Sequence, residues 1–204
     1  MEEYITLAGA GSFTYEDRRS VFIGEAAPVT REEEALSHIA AVKKRYPDAR
    51  HHVYAYILRE NSIMRFSDDS EPQGTAGLPT LDILRKRGIT DAVITVTRYF
   101  GGTLLGTGGL VRAYTAAAGG AVRTAGLAHY RMYAFCEIRM SYADYSKLAP
   151  TLTEALRLSD TRYEDAVTLF GSLPKEEYPA LLHQLTEQTA GRAEIRLLCE
   201  KFDF

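Results

Sequence analysis

Asp91-Ala92-Val93-Ile94-Thr95-Val96-Thr97-Arg98-Tyr99-Phe100-Gly101-Gly102-Thr103-Leu104-Leu105-Gly106-Thr107-Gly108-Gly109 begins as a strand and ends as a turn. Its first ten residues are nearly continuous β-type sequence, as a strand buried on both faces requires. Gly101–Gly109 turns the chain, and a helix is predicted from about residue 109 to 125. That helix is crowded with Ala116, Ala117, Ala118, Gly119, Gly120 and Ala121, so its backbone can press close to a sheet.

Working back towards the start, residues 4–9 and about 18–27 read as strands. Thr30-Arg31-Glu32-Glu33 has the form of a capping box. Ala35, Ile39, Val42 and Tyr46 then share one helical face, and Pro47 stops the helix. Residues 51–59 and 63–67 suggest a hairpin around Glu60-Asn61-Ser62. Residues 68–78 read as a loop, and Pro79 and Gly88 bracket a short helix.

Working forward, the pattern restarts after Gly126. Strand 129–141, helix 143–157, strands about 160–164 and 165–171, helix 174–190 and strand 192–202 follow, with Gly191 capping the second helix. That order is β-α-β-β-α-β, the ferredoxin-like motif. Pro150 and Pro179 fall inside the proposed helices and should kink them or shift their starts. The expected class is α+β, in two domains of residues 1–127 and 128–204.

The 204 residues are 46% apolar and 25% charged, ordinary for a globular chain. Net charge is −3; residues 1–127 hold 15 basic and 15 acidic residues, and the rest hold 9 and 12. A strongly basic, histone-like nucleic-acid binder is excluded, while a local basic patch is not. No run approaches the roughly 18 apolar residues that span a bilayer. The start, Met1-Glu2-Glu3-Tyr4, lacks a signal-peptide pattern, so a cytoplasmic location is expected. Cys136 and Cys199 show no zinc spacing. Each lies in an alternating apolar run and is expected to be a buried small hydrophobe.

Two segments carry chemistry. In the first, Asp68, Asp69 and Glu71 bring three carboxylates within four residues. Such a group could hold Mg²⁺ or Ca²⁺, or act as an acid/base pair. It could equally be a solvated turn, or could pair with arginine to shape a site. In the second, Arg98 through Arg112, five glycines fall within nine residues. A bend between a buried strand and a helix turns backbone N–H groups and the positive helix end outward, which suits an anion. Arg98 and Arg112 could add charge-assisted bonds to it, or could pair with Asp69 and Glu71. Gly101 through Thr107 lacks the phosphate-binding lysine of a P-loop, and Gly106-x-Gly108 lacks the third glycine of a dinucleotide fingerprint. ATP and NAD are therefore disfavoured, and no cofactor is expected. His51 and His52 face opposite ways in a strand and cannot chelate one metal together. The basic runs Lys43-Lys44-Arg45 and Arg85-Lys86-Arg87 sit near helix ends, where they compensate the dipole or could contact RNA phosphate.

Asp68-Asp69-Ser70-Glu71-Pro72-Gln73-Gly74-Thr75-Ala76-Gly77-x-Pro79, followed by Thr97-Arg98-Tyr99-Phe100-Gly101-Gly102-x-Leu104-Leu105-Gly106-x-Gly108-Gly109-Leu110-Val111-Arg112-Ala113-Tyr114, resembles the IMPACT family in its bacterial YigZ-type form. Ser20-Val21-Phe22-Ile23 and Ala49-x-His51-x-x-Tyr54-Ala55-Tyr56 are similar to that family too. Ser70, Gln73 and Val21 depart from the pattern, Ser70 standing where a glycine is usual. The resemblance implies a first domain folded like the second domain of small-subunit ribosomal protein five. It implies a second domain like the last domain of elongation factor G. Eukaryotic relatives act in translational control through an additional partner-binding domain that is not expected here.

From these readings the candidate ligand or nucleic-acid residues are His51, Asp68, Asp69, Glu71, Thr75, Arg98, Tyr99, Gly101, Gly102, Gly106, Gly108, Gly109 and Arg112. Asp68, Asp69 and Glu71 are also weak metal candidates, and no catalytic residue is assigned. The leading expectation is a non-enzymatic, translation-associated factor that binds RNA, the ribosome or a translation protein through the 68–114 surface, with no membrane partner. The alternatives are a metal-assisted phosphoryl-transfer or hydrolytic enzyme using Asp68, Asp69 and Glu71, and a protein-interaction module using the C-terminal sheet.

Overall fold

Alternation along the strands sorts the apolar residues into layers, and the layers define two units. The computed structural model describes residues 3–204. One unit, Tyr4–His129, contains β1 (Tyr4–Leu7), β2 (Gly11–Asp17), β3 (Ser20–Pro28), α1 (Glu32–Arg45), β4 (His51–Leu58), β5 (Ile63–Ser67), α2 (Gly77–Lys86), β6 (Ala92–Tyr99) and α3 (Gly106–Ala125). The other, Tyr130–Phe204, is built on β7 (Leu127–Met140), α4 (Tyr142–Ala155), β8 (Arg157–Tyr163), β9 (Val167–Pro174), α5 (Tyr178–Thr189) and β10 (Glu194–Asp203). The chain is α+β with two sheets, as the sequence reading expects.

The first sheet runs β2-β3-β6-β4-β5, with every pair antiparallel. Phe22, Ala26, Val53, Ala55, Ile94 and Val96 face α2 and α3. Tyr56, Leu58 and Val93 face Ala35 and Ile39 of α1. Helices therefore cover both faces, which is why β6 is buried from Ala92 to Arg98. The small residues of α3 pack as expected. A Cβ added at Gly24 would lie 2.4 Å from the Ala117 carbonyl oxygen, and one at Gly11 2.3 Å from the Ala125 nitrogen.

Within the second unit the strands run β10-β7-β9-β8, all antiparallel, in the ferredoxin-like arrangement. One face carries Ala134, Cys136, Ile138 and Leu169 against Leu148, Leu152, Leu181 and Leu185 of the helices. On the other face Arg157, Lys201 and Arg162 lie over Tyr133, Phe135 and Phe170. Pro179 stands in the first turn of α5, which starts at Tyr178 rather than 174, and α4 continues through Pro150.

Four local expectations need correction. β2 was not expected as a strand; it pairs with β3 through a two-residue turn at Arg18 and Arg19, both at positive φ (45° and 65°). The first helix starts one residue late for a Thr30–Glu33 box: Glu34 reaches back instead, accepting from the Thr30 N–H at 2.7 Å. α3 begins at Gly106, not 109, so three of the five glycines lie in its first turn. Cys199 is exposed. A bulge between Leu197 and Cys199 shifts the register and breaks the alternation that would bury it.

Cys136 remains in the core, and burial pushes its thiol up to about 11. Iodoacetamide is therefore expected to add one carboxamidomethyl group to the native protein and two in urea, as read by intact mass. Two adducts under native conditions would contradict the burial of Cys136.

Candidate functional site

The acidic loop and the Gly-rich junction meet at one buried carboxylate. Glu71 Oε1 accepts a hydrogen bond from Arg98 Nη1 at 2.6 Å and another from the Tyr114 hydroxyl at 2.8 Å. The Arg98 and Glu71 side chains are only 6% and 4% exposed, so the pair lies in a medium that strengthens its attraction. Burial first, and the Glu71 carboxylate second, hold the Tyr114 phenol protonated far above its ordinary range, so it acts as a donor. The Arg98 guanidinium also lies near the Phe22 and Phe100 rings, 5.3 and 5.6 Å from their centroids. Its Nε is buried with no hydrogen-bond partner among the described residues.

Each end of the loop is held separately. Asp68 caps α2, accepting from the backbone N–H groups of Gly74 (2.9 Å), Ala76 (3.0 Å) and Gly77 (2.8 Å). Asp69 Oδ2 accepts from the His52 N–H at 2.6 Å, and Lys43 lies 3.7 Å from its Oδ1. The turn between them places Asp69 and Ser70 at φ 44° and 69°. Ser70, which stands where a glycine is usual, thus adopts the left-handed conformation that glycine takes most readily.

The histidines divide as strand geometry requires. His52 Nε2 lies 3.0 Å from the Tyr46 carbonyl, and His51 Nδ1 lies 2.8 Å from the Asp69 carbonyl. A carbonyl only accepts, so the bonded nitrogen carries hydrogen in each case. His51 Nε2 is then left 3.8 Å from Glu71 Oε1.

Above this network lies a cavity of about 350 Å³. His51, Glu71 and Arg98 line it together with Arg50, Gly106 and Thr107. Pro72, Phe100, Leu104, Leu105 and Leu110 supply its apolar wall. Leu104 is 81% exposed and Phe100 is also exposed. α3 enters at the cavity with Leu105 as N-cap, no side-chain cap and no acidic residue in the first turn.

Two family descriptions match the sequence: the Impact N-terminal domain over residues 18–122, and a domain of unknown function (DUF1949) over residues 138–192. The IMPACT family member YvyE of Bacillus subtilis (strain 168) is 33% identical over 198 residues, covering 96% of this chain and 91% of that protein. The chain belongs to the IMPACT family. The IMPACT family member YigZ of Escherichia coli (strain K12) is 40% identical over 117 residues, covering 56% of this chain and 57% of its own. A crystal structure described as that of a hypothetical protein superposes with a TM-score of 0.61 at 28% identity, covering 98% of both chains.

In this IMPACT-family chain the candidate residues do not all serve one place. His51, Glu71, Arg98 and Gly106 line the cavity. Thr75 is buried, its hydroxyl donating to the Pro72 carbonyl at 2.6 Å. Tyr99 is half-buried and pairs across the sheet with Val21. Gly101 is required by contact, since a Cβ there would lie 2.1 Å from the Arg19 carbonyl carbon. Gly102 meets open space at φ 83°, Gly108 is open but for Arg112 3.6 Å away, and Gly109 sits under Leu105. Arg112 is exposed, and among the described residues it is paired with neither Asp69 nor Glu71.

Asp68, Asp69 and Glu71, the weak metal candidates of the sequence, do not converge. The three carboxylates turn to three different partners: helix amides, a strand amide with Lys43, and Arg98 with Tyr114. Among the described residues no group of three or more His, Cys, Asp or Glu could hold a metal ion. Arg50, Phe100, Leu104 and Thr107 went unnoticed as site residues. Only the exposure of Leu104 in a tight loop distinguishes them, and exposure is not written in a sequence.

Proposed function

We propose that this chain is a non-enzymatic, translation-associated factor that binds RNA, free or within the ribosome, through the 68–114 surface. One observation carries the reading: a chain of net charge −3 keeps Arg50 and Arg112 exposed, with no ion-pair partner among the described residues, beside an uncapped helix start that has no acidic residue in its first turn. Arg18 adds to this side, donating to the Leu104 carbonyl at 3.4 Å. Unpaired guanidinium groups next to free helix amides attract phosphate. Glu71 does not oppose this, because Arg98 balances its charge. The family resemblance to translation-factor domains supports the same direction.

Fluorescence anisotropy with a short single-stranded RNA tests it. If three arginines contact phosphate, affinity should fall about 20-fold between about 50 and 200 mM salt. Arg112→Ala should weaken binding and lower the logarithmic salt slope by about 0.7, with an unchanged melting temperature. Absence of association at low salt would overturn the reading.

A further inference from the structure

We infer that the cavity is a site for one phosphate-bearing nucleotide, its phosphate at the start of α3 and its base against Phe100 and Leu104. This rests on the reading above and names the unit that the surface takes. The cavity has two chemically distinct ends. At one, the amides of Gly106, Thr107 and Gly108 precede the first intrahelical acceptors of a 20-residue helix and have no side-chain cap. The summed helix dipole adds positive potential there.

Arg98 provides the second, independent indication. Its side chain is 94% buried, it lines the cavity, and its Nε has no hydrogen-bond partner among the described residues. The guanidinium thus reaches the cavity with hydrogen-bonding capacity that Glu71 does not use. Glu71 accepts from Nη1, and no other acceptor among the described residues bonds the Arg98 side chain. Arg50 stands at the same cavity, exposed and without a carboxylate partner among the described residues. The site therefore has donors in excess of acceptors, as a bound anion requires.

The other end is apolar. Phe100 and Leu104 are 42% and 81% exposed, next to a wall completed by Pro72 and Leu105. An exposed ring beside a phosphate-suited helix end matches a nucleotide, which offers a flat π-face and an anion in one molecule. A cavity of about 350 Å³ is at the small end of ligand sites, where a single nucleotide is accommodated and a helical duplex is not. A free mononucleotide and the phosphorylated end of a single-stranded RNA share this chemistry.

Calorimetric titration with adenosine 5′-monophosphate, ribose 5-phosphate and inorganic phosphate tests the inference. Short RNAs ending in a 5′-monophosphate or a 5′-hydroxyl form the second arm. The mononucleotide should bind at least tenfold more tightly than ribose 5-phosphate, because the latter lacks the base. A tenfold preference for phosphorylated RNA ends over hydroxyl ends would identify RNA as the source. Equal RNA affinities with mononucleotide binding retained would identify the free nucleotide.

Thr107→Glu separates binding from folding. Thr107 is exposed, and a carboxylate at the second helical position favours the helix while occupying the anion's place. This variant should melt no lower than the parent and lose nucleotide affinity at least tenfold. Leu104→Asp should do the same to base-dependent affinity only. Unchanged affinity in folded Thr107→Glu, or no binding of the mononucleotide at millimolar concentration, would overturn the inference. Salt-sensitive RNA binding that ignores Thr107→Glu would leave the broader RNA reading intact. Nucleotide binding without RNA association would sink that reading and leave this one.

Discussion

Glu71→Ala is expected to destabilise the protein by about 3–5 kcal/mol, because it leaves the Arg98 guanidinium buried without a counterion. Arg98 is 5% exposed, so water can do little to replace the lost carboxylate. The neighbouring carboxylates are unable to substitute, since Asp68 holds the amides of α2 and Asp69 holds the His52 amide. Tyr114 would lose its acceptor at the same time. A typical domain is stable by only about 5–15 kcal/mol, so the change should be plain in urea denaturation. Glu71→Gln keeps an acceptor for Tyr114 and removes the charge, and should fall between the parent and the alanine variant. Combining Glu71→Ala with Arg98→Met should cost less than the sum of the single changes, because the stranded charge is gone. Additivity would show that the two side chains do not act as a pair.

Gly24→Ala should cost about 3 kcal/mol, at the upper end of the range for overpacked sites. The new methyl would stand 2.4 Å from the Ala117 oxygen and 2.8 Å from its carbonyl carbon, both backbone atoms of α3. A side chain could rotate away, whereas a helix has to move as a body. α3 is flanked by α2 and packs on the sheet against Phe22, Ala26 and Val96, so moving it as a body disturbs all of these contacts. The displacement would also carry the Gly106–Gly108 amides, so the proposed nucleotide affinity should fall with stability. Gly9→Ala is the control: a Cβ at Gly9 meets nothing within 4 Å, and that variant should match or slightly exceed the parent in melting temperature. Equal melting temperatures for the two alanine variants would refute the close approach of α3 to β3.

Much of the fold is legible in the sequence because the relevant signals are local. The second unit shows its β-α-β-β-α-β order through changes of hydrophobic period and short connections. The run Ala92–Val96 announces a strand buried on both faces, and the alanines and glycines of 116–121 announce a helix lying close to a sheet. The carboxylates and arginines of the site are visible as residue types at a marked spacing. What escapes the sequence depends on backbone conformation that residue type does not announce. β2 is hidden because its turn is Arg18-Arg19, side chains that ordinarily avoid positive φ, instead of a glycine signal. Cys199 looks buried until the bulge beside it is known.

Sequence alone therefore determined the elements other than β2, the α+β class, the IMPACT-family motifs and the presence of an acidic loop and a glycine-rich junction. Tertiary structure alone decided which carboxylate meets which partner. Asp68, Asp69 and Glu71 are near-neighbours in the chain, but a left-handed turn at Asp69 and Ser70 sends them in three directions. One caps a helix, one pins a strand and one neutralises Arg98 beneath the cavity. The physical reason is that the spacing of charges along a chain limits how far apart they can be, while backbone dihedrals and packing set where each one points.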